Sequence, residues 1–311
     1  MAVNCLNAAS GENWLALNGD SADIMPQLPA ESVDFSIYSI PFLNLFTYSD
    51  SVADLGNCAD EDEFFEQYGF MLREKLRLTK PGRLTAVHCS DLPSRKWSDG
   101  FIGTKPFSDR ITDAHLARGW RFLCRVTIWR DPRTEMLRTK ALNLLHKQIL
   151  KDSTCSWPGL ADYLLVFRKP GENAAPVGHR PTDFHVDRWQ KWASPVWFDI
   201  NQTDTLNNKA SAARWIGDPV NLDKAAEADD ERHVCPLQLE VVNRAVMMWS
   251  NKRETVLSPF TGVGTEGVVS VRRGRKFIGS ELKPTYWEQS CRALAAAEAN
   301  SRGLFDEMDA A

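Results

Sequence analysis

Long apolar runs are absent from this sequence. A membrane-spanning helix requires about eighteen consecutive apolar residues, and no stretch approaches that length, so we expect no membrane segment. The first ten residues, MAVNCLNAAS, lack the basic-then-apolar layout of a signal peptide. A cytoplasmic protein is therefore predicted.

Paired cysteines and metal-ligand spacings are also missing. The seven cysteines are odd in number and irregularly spaced, which argues against a disulfide framework, and none forms a Cys-x-x-Cys pair. The six histidines show no short ligand spacing. We therefore expect no metal site.

An excess of basic charge is lacking too. The formal net charge is -4, so the chain can bind nucleic acid only if basic side chains concentrate on one face. Two stretches are locally basic, and they contain Arg130, Arg133, Arg138, Lys140 and Lys147, then Arg180, Arg188 and Lys191. Taken alone, each cluster is more simply explained as a solvated helix or loop face.

What the sequence does have is an alternation of β-rich runs and helical stretches. The β-rich runs cover residues 33–38, 83–88 (after a Lys80-Pro81-Gly82 turn), 124–129, 163–167, 254–257 and 276–279. Residues 63–78 carry apolar side chains at helical spacing. This order predicts an α/β fold with a mostly parallel sheet and helices on both faces.

Two stretches are irregular. Residues 171–232 are rich in proline and tryptophan and show little periodicity. Because a structureless loop of this length is improbable inside a compact domain, we interpret them as an inserted, irregular subdomain. Residues 91–109, which include Arg95 and Lys96, are predicted to form a mobile surface loop, and a purely structural connector is the alternative.

The most informative stretch is a glycine-rich turn near the C-terminus. A strand-like segment leads into Ser258-Pro259-Phe260-Thr261-Gly262-Val263-Gly264-Thr265, and a helix is predicted to begin near Glu266. The glycines let the backbone turn tightly and approach a ligand. About twenty residues later a second strand ends at Glu281, whose carboxylate suits the two hydroxyls of a ribose. The order predicts a nucleoside-cofactor site. NAD is the competing cofactor, and the Pro-Phe pair and the late position of the unit speak against it.

A second candidate site is Ser39-Ile40-Pro41-Phe42, directly after the strand at 33–38. Open α/β sheets bind ligands at the carboxyl ends of their strands. The Ser39 hydroxyl and the Ile40 carbonyl would accept hydrogen bonds from an exocyclic amine, Pro41 stiffens the loop, and Phe42 would stack on a flipped base. From these four residues alone, an ordinary strand-ending turn with a core phenylalanine is the favoured explanation.

Together the two stretches resemble the β class of DNA amino-methyltransferases, in which the catalytic motif precedes the cofactor motif. That family typically shows Asp-Pro-Pro-Tyr or Ser-Pro-Pro-Tyr at the catalytic loop and Asp-Pro-Phe-x-Gly-x-Gly-Thr at the cofactor turn. The sequence is most similar to phage and prophage enzymes with a Tyr-Ser-Ile-Pro-Phe loop. This similarity implies an orphan methylase without a paired endonuclease.

The resemblance covers most of the chain and implies a domain layout. A Rossmann-like catalytic core with a seven-stranded sheet would occupy residues 1–170 and 233–300. A target-recognition insert would occupy residues 171–232, and residues 301–311 would form a C-terminal tail. The implied cofactor is S-adenosyl-L-methionine, held by Asp20, Ser258, Pro259, Phe260, Gly262, Gly264, Thr265, Glu281, Leu282, Pro284 and His233.

Double-stranded DNA is the implied partner, and this class often forms homodimers. Contacts to phosphates and bases are expected from basic residues, which are Arg95, Lys96, Arg130, Arg133, Arg138, Lys140, Arg180, Arg188 and Lys191. Tryptophans in the insert would either touch DNA or pack its own small core.

The sequence departs from the family pattern at two positions. Ile40 replaces the first proline of the catalytic motif, which leaves the loop less constrained but keeps the carbonyl acceptor. Ser258 replaces the usual aspartate and so removes a carboxylate that would pair with the ammonium of the cofactor. Binding of the cofactor is then weaker, or Glu266 or Asp20 supplies the charge.

The target base is not decided by these motifs. A serine in first place is commoner among cytosine-N4 enzymes and a phenylalanine in last place among adenine-N6 enzymes, and we lean to N6 of adenine. Methylation of carbon 5 needs a cysteine nucleophile, which the loop lacks. Two further hypotheses remain open, namely a catalytically impaired DNA-binding relative and an RNA methyltransferase.

Overall fold

The computed structural model describes residues 3–41, 55–94, 96–139, 141–217 and 236–309. Four of the predicted site residues lie outside these ranges: Phe42, Arg95, Lys140 and His233. Arg138 lies inside them, but its side chain is not among those described.

A single large sheet dominates the described part of the chain. The strands are β1 (Asn7–Ser10), β2 (Trp14–Asn18), β3 (Val33–Ser39), β4 (Thr79–Ser90), β5 (Leu92–Ser94), β6 (Gly103–Lys105), β7 (Arg121–Ile128), β8 (Asp162–Arg168), β9 (Val196–Trp197), β10 (Thr255–Ser258) and β11 (Lys276–Glu281). Nine of these described strands pair in the order β1-β2-β11-β10-β3-β4-β8-β7-β9, and β5 pairs with β6 in a separate hairpin.

The helices alternate with the strands. They are α1 (Ser21–Ile24), α2 (Glu61–Leu78), α3 (Lys96–Asp99), α4 (Phe107–Ala117), α5 (Pro132–Thr139), α6 (His146–Lys151), α7 (Val186–Trp192), α8 (Lys209–Ile216), α9 (Leu239–Trp249), α10 (Thr265–Arg272) and α11 (Pro284–Asp309). Helix α2 begins where Asp60 caps the amide of Glu63 at 2.9 Å, and the Glu63 carboxylate bonds back to the amide of Ala59 at 2.7 Å. Of the described helices, none is both long enough and apolar enough to cross a membrane.

The strand directions confirm the predicted α/β fold. Strands β2, β11, β10, β3 and β4 are mutually parallel, whereas β8 runs antiparallel to both β4 and β7. The predicted seven-stranded sheet runs from β2 to β7, and β1 and the two-residue β9 extend it at its edges. The central contact joins distant parts of the chain, because Val256 of β10 pairs with Phe35 of β3.

Successive side chains along each strand point to opposite faces of the sheet, so a hydrophobic layer forms on each face. Phe35 and Ile37 pack with helices α8 to α11, while Val33 and Tyr38 pack with α2 and α4. We refer to the first of these as the α9–α10 face.

Described residues 171–217 share the packing of the α9–α10 face. Trp197, Ile200, Leu206 and Trp215 belong to the same buried cluster as the strands β3, β10 and β11. The segment therefore covers the sheet rather than packing around tryptophans of its own. Its assignment to target recognition remains a prediction.

The direction of the strands decides which connections lie near the candidate site. The connections at residues 91–106 and 129–161 follow the carboxyl ends of β4 and β7, so they lie at the same edge as the ends of β3, β10 and β11. Residues 169–180 follow β8 and contact the opposite edge, where Gly178 bonds to Asn251 and His179 to the carbonyl of Met248.

Candidate active site

The glycine-rich turn between β10 and α10 needs glycine for two different reasons. Gly262 and Gly264 have φ values of 52° and 99°, in the left-handed region that side chains disfavour. A Cβ atom on Gly262 would meet no atom within 4 Å, so the turn borders open space at this point. On β11, a Cβ atom on Gly279 would lie 2.3 Å from Oγ1 of Thr261. The absent side chain at Gly279 therefore lets the turn lie close against the strand.

Glu281 holds the turn at the end of β11. Its Oε2 accepts the amide of Gly262 at 2.7 Å and its Oε1 accepts the amide of Lys283 at 3.0 Å. Each carboxylate oxygen can accept more than one hydrogen bond, so these contacts orient the group without excluding a ribose.

Asp20 and Leu282 are brought to the same place. The side-chain amide of buried Asn18 donates to the carbonyls of Glu281 and Leu282 at 2.9 and 3.1 Å, and the amide of Gly19 donates to Glu281 at 3.0 Å. Asp20 caps α1 by accepting the amide of Ala22 at 2.8 Å, and burial raises the pKa of its carboxyl. The structure thus places Asp20 and Leu282 beside the predicted ribose position.

The remaining cofactor residues surround the turn. Pro284 is exposed at the first position of α11, where its fixed φ suits a helix start. The carbonyl of Pro259 accepts hydroxyl hydrogen bonds from Ser21 and Ser280, and the ring of Phe260 lies 5.7 Å from that of Tyr38.

Two unsatisfied hydroxyls test whether this site fits the implied cofactor. Ser258 Oγ and Thr265 Oγ1 are buried and have no hydrogen-bond partner within the described ranges. Buried hydroxyls normally find a partner, and these two flank the turn that opens at Gly262. The donor and acceptor set, with Glu281 at its far end, fits S-adenosyl-L-methionine.

The catalytic-loop candidate lies at the end of β3. Ile40 is 1% exposed and its amide donates to the carbonyl of His88 at 3.2 Å, so the loop leaves the sheet only after Ile40. The hydroxyl of Ser39 lies 3.1 Å from Nδ1 of His88 on β4. Pro41 follows and is half-buried.

Glu266 connects this loop to the glycine-rich turn. Its side chain is buried in the first turn of α10 and faces the backbone N–H of Ser39. Burial raises the pKa of the Glu266 carboxyl to about 8, against the opposing effect of the amides of Glu266 and Ser39, and the charge of Glu281 adds to the rise. The two motifs that the sequence placed over 200 residues apart therefore meet through one carboxyl group.

Sequence reasoning missed two residues at this edge. His88 Nε2 lies 3.6 Å from Oδ2 of Asp162, and the Nε of Arg130 lies 3.0 Å from the same oxygen. The available signal was a polar residue at the end of one β-rich run (His88 of 83–88) and directly before another (Asp162, before 163–167), but the pairing of β4 with β3 and β8 was needed to interpret it.

The predicted DNA-binding residues separate into groups. Lys96 and Arg133 are exposed in the two connections at the carboxyl edge. Arg130 is instead 24% exposed and ion-paired with Asp162. On α7, Lys191 pairs with Asp199 at 2.6 Å and Arg188 lies over the ring of Trp192. Arg180 is exposed next to His179, at the opposite edge.

Comparison with known proteins gives one family. The N6/N4 methyltransferase model, described as DNA methylase, matches residues 33–292. The type II methyltransferase M.MthZI of Methanothermobacter thermautotrophicus is 25% identical over 285 residues, covering 85% of this chain and 71% of that protein. The DNA adenine methyltransferase YhdJ of Escherichia coli is 24% identical over 285 residues, covering 90% and 82%.

Two solved structures share the fold. A Thermus thermophilus protein described as a DNA modification methylase, in complex with S-adenosyl-L-methionine, is 20% identical with a TM-score of 0.65. The alignment covers 92% of this chain and 94% of that one. The PvuII DNA methyltransferase, described as cytosine-N4-specific, is 15% identical with a TM-score of 0.63, covering 98% and 95%.

Proposed function

Because the chain belongs to the N6/N4 DNA methylase family and is an S-adenosyl-L-methionine-dependent DNA methyltransferase, we propose that Ser39-Ile40-Pro41-Phe42 is its catalytic loop and that it methylates the exocyclic amine of a flipped base. The observation that carries this proposal is that Ser39 and the glycine-rich turn follow the neighbouring parallel strands β3 and β10, with buried Glu266 facing the backbone N–H of Ser39. It supports the proposal because the groups that would accept from an amine then lie near the proposed cofactor turn.

The cofactor would lie along residues 258–265, with its ribose on Glu281 and its adenine near Asp20, Leu282 and Pro284. When bound, S-adenosyl-L-methionine supplies a methyl group activated by a positively charged sulfur. Ser258 and Thr265 offer their buried hydroxyls to it, and Glu266 supplies the carboxylate that Ser258 lacks. His233, outside the described residues, remains a predicted contact of the methionine part.

The chemical task of the loop is to orient a weak nucleophile. The lone pair of an exocyclic amine is delocalised into the base, and two acceptors that hold its hydrogens favour a pyramidal nitrogen. The hydroxyl of Ser39 and the carbonyl of Ile40 would provide them, and Phe42 would stack on the base. The contribution to the rate comes mainly from positioning.

Adenine N6 is the favoured target. The phenylalanine at the end of the loop supports it, and so does the similarity to YhdJ, described as a DNA adenine methyltransferase. Cytosine N4 is the competing target, because of the serine at the start of the loop.

We assign DNA binding to the two carboxyl-edge connections, because they border the loop. They expose large apolar side chains as well as Lys96 and Arg133: Phe101, Ile102, Trp129, Leu137, Leu142, Ile149 and Leu150. Basic groups neutralise phosphates, and apolar side chains fill the space that a flipped base leaves in the stack. Arg188 and Lys191 are weaker candidates and Arg180 the weakest, since it lies at the far edge.

The test is direct product analysis. Duplex DNA is incubated with the wild-type enzyme and the cofactor, digested to nucleosides and analysed by mass spectrometry. The expected product is N6-methyladenine. N4-methylcytosine would reverse the choice of base, and the absence of any methylated nucleoside in DNA, with methylation of an RNA duplex of equal length, would overturn the proposal.

A further inference from the structure

Four polar residues form a row across the carboxyl edge of the sheet, on the α9–α10 face. Strands β3, β4, β8 and β7 are consecutive neighbours, and alternate residues of each point to one face. Because Ile37, Ala86, Leu164 and Ile128 all belong to the buried cluster of that face, the residues two positions nearer the edge follow them onto it. Those residues are Ser39, His88, Asp162 and Arg130.

We propose that His88 and Asp162 form a proton relay for Ser39, which draws the hydroxyl hydrogen of Ser39 away from the target amine and takes up the proton that the amine releases. This inference rests on the proposed function of the loop. Ser39 would touch the substrate, whereas His88 and Asp162 act through it as positioning residues.

The distances fit such a relay. Ser39 Oγ lies 3.1 Å from Nδ1 of His88, within hydrogen-bond range. Nε2 of His88 lies 3.6 Å from Oδ2 of Asp162, which is an ion-pair distance rather than a hydrogen bond. Contacts between catalytic groups are often long without substrate and shorten in the reacting complex. Both side chains are buried, at 6% and 2% exposure, and a separation of 3.6 Å leaves no room for a water molecule between the two atoms.

The charges decide which way the hydrogens point. Arg130 pairs with the Asp162 carboxylate at 3.0 Å, and an ionised carboxylate only accepts. The Nε2 atom of His88 therefore carries its hydrogen towards Asp162, and Nδ1 is left as an acceptor. The Ser39 hydroxyl must then donate to Nδ1. Its lone pairs are turned outwards, where a target amine can donate to them.

The relay accounts for the proton that the methylated amine must lose. The amine nitrogen bonds to the donated methyl carbon while the carbon–sulfur bond breaks, and the nitrogen gains a positive charge. It returns to neutrality by giving one proton to Ser39 Oγ as the original hydroxyl proton moves to Nδ1 of His88. The product is a neutral methylated base, a neutral sulfide and an imidazolium beside Asp162.

Other charged groups face this row. Glu266 of α10 faces the amide of Ser39, and Glu135 of α5 lies 3.9 Å from Arg130. On the opposite face of the same strands, the cross-strand contact between Ser36 and Thr85 is a simple hydroxyl pair at 2.7 Å. A hydroxyl neighbour would satisfy the hydrogen-bonding capacity of the Ser39 side chain equally well. Packing therefore does not require the buried imidazole of His88 and carboxylate of Asp162, and burying them carries a desolvation penalty.

The test measures single-turnover methylation of duplex DNA at saturating enzyme and cofactor, with the products identified by mass spectrometry. His88→Asn keeps a polar atom within reach of Ser39 but cannot take up a proton, and His88→Ala removes both. We expect both variants to be slower by about 100-fold, with affinities for cofactor and DNA unchanged. Asp162→Asn should lose about tenfold. Thr85→Val is the matched control on the other face and should keep the full rate.

The split between binding and rate separates a relay from a structural role. A relay acts only on the methylation step, so His88→Asn should keep the wild-type affinities for cofactor and duplex DNA while its single-turnover rate falls. A wild-type rate in His88→Asn, or a loss of affinity that accounts for the whole fall, would overturn the relay and leave the proposed function intact. If the wild type itself forms no methylated base in DNA, the proposed function fails and the relay fails with it.

Discussion

Glu266 makes the binding of the cofactor dependent on pH. Its carboxyl has a pKa of about 8, so at pH 7 about nine in ten molecules carry it protonated. The ammonium and sulfonium charges of S-adenosyl-L-methionine favour the ionised form, and Ser258 offers no carboxylate in its place. Binding at pH 7 should therefore release about 0.9 proton, and the dissociation constant should fall about tenfold per pH unit until pH 8 and then level off.

Isothermal titration calorimetry measures this release. Titrations at pH 7 in buffers with different ionisation enthalpies give the number of protons released from the slope of the observed heat. Glu266→Gln keeps an acceptor for the amide of Ser39 but never ionises, so its binding should be weaker and free of this proton release. Asp20→Asn is the second control, since burial also raises the pKa of Asp20. Equal proton release in the wild type and in Glu266→Gln would refute the reasoning.

Further predictions concern the turn, the core, the DNA surface and the assembly. Gly279→Ala forces the glycine-rich turn off β11 and should lower stability in urea by about 1–3 kcal/mol, whereas Gly262→Ala should fold but lose cofactor binding in calorimetry. Burial lowers the pKa of Lys75 well below its usual value. The unfolded chain thus binds more protons, and wild-type stability relative to Lys75→Met should rise by up to about 1.4 kcal/mol per pH unit as the pH rises towards about 10, where an unfolded lysine loses its proton. Arg133→Glu should weaken DNA binding and should reduce the slope of log binding constant against log salt concentration by about one, the value for one phosphate contact. Arg180→Glu should change neither the affinity nor the slope, and fluorescence anisotropy measures both. A homodimer remains a prediction of the family resemblance, and sedimentation equilibrium would test it.

Several strands of the sheet could be predicted from the sequence. The runs at 33–38, 163–167 and 276–279 fall within β3, β8 and β11, because strands that are buried on both faces of a sheet leave short apolar runs. The prediction of a turn at residues 80–82 was wrong, because these residues belong to β4. These residues bulge within β4, where the pairing shifts between Val33 and Phe35, and Gly82 takes a φ of 71°.

The candidate site was predictable only in its motifs. Glu281 and the glycine-rich turn occupy the expected arrangement because their spacing is local. His88 and Asp162 depend on which strands become neighbours, and no local pattern encodes that. The course of residues 171–217 over the sheet is likewise tertiary, since tryptophans without periodicity do not reveal which surface they cover.

The pairing of β10 with β3 has a consequence for how the enzyme is made. During synthesis the strand that carries Ser39 leaves the ribosome more than 200 residues before the neighbour that completes the centre of the sheet. Until then β3 lacks one partner and the methyl donor has no binding site. A nascent chain therefore cannot modify the DNA around it, and an interrupted one leaves no active fragment. Contacts so distant in sequence also make folding slow, so the gap between translation and activity should be measurable.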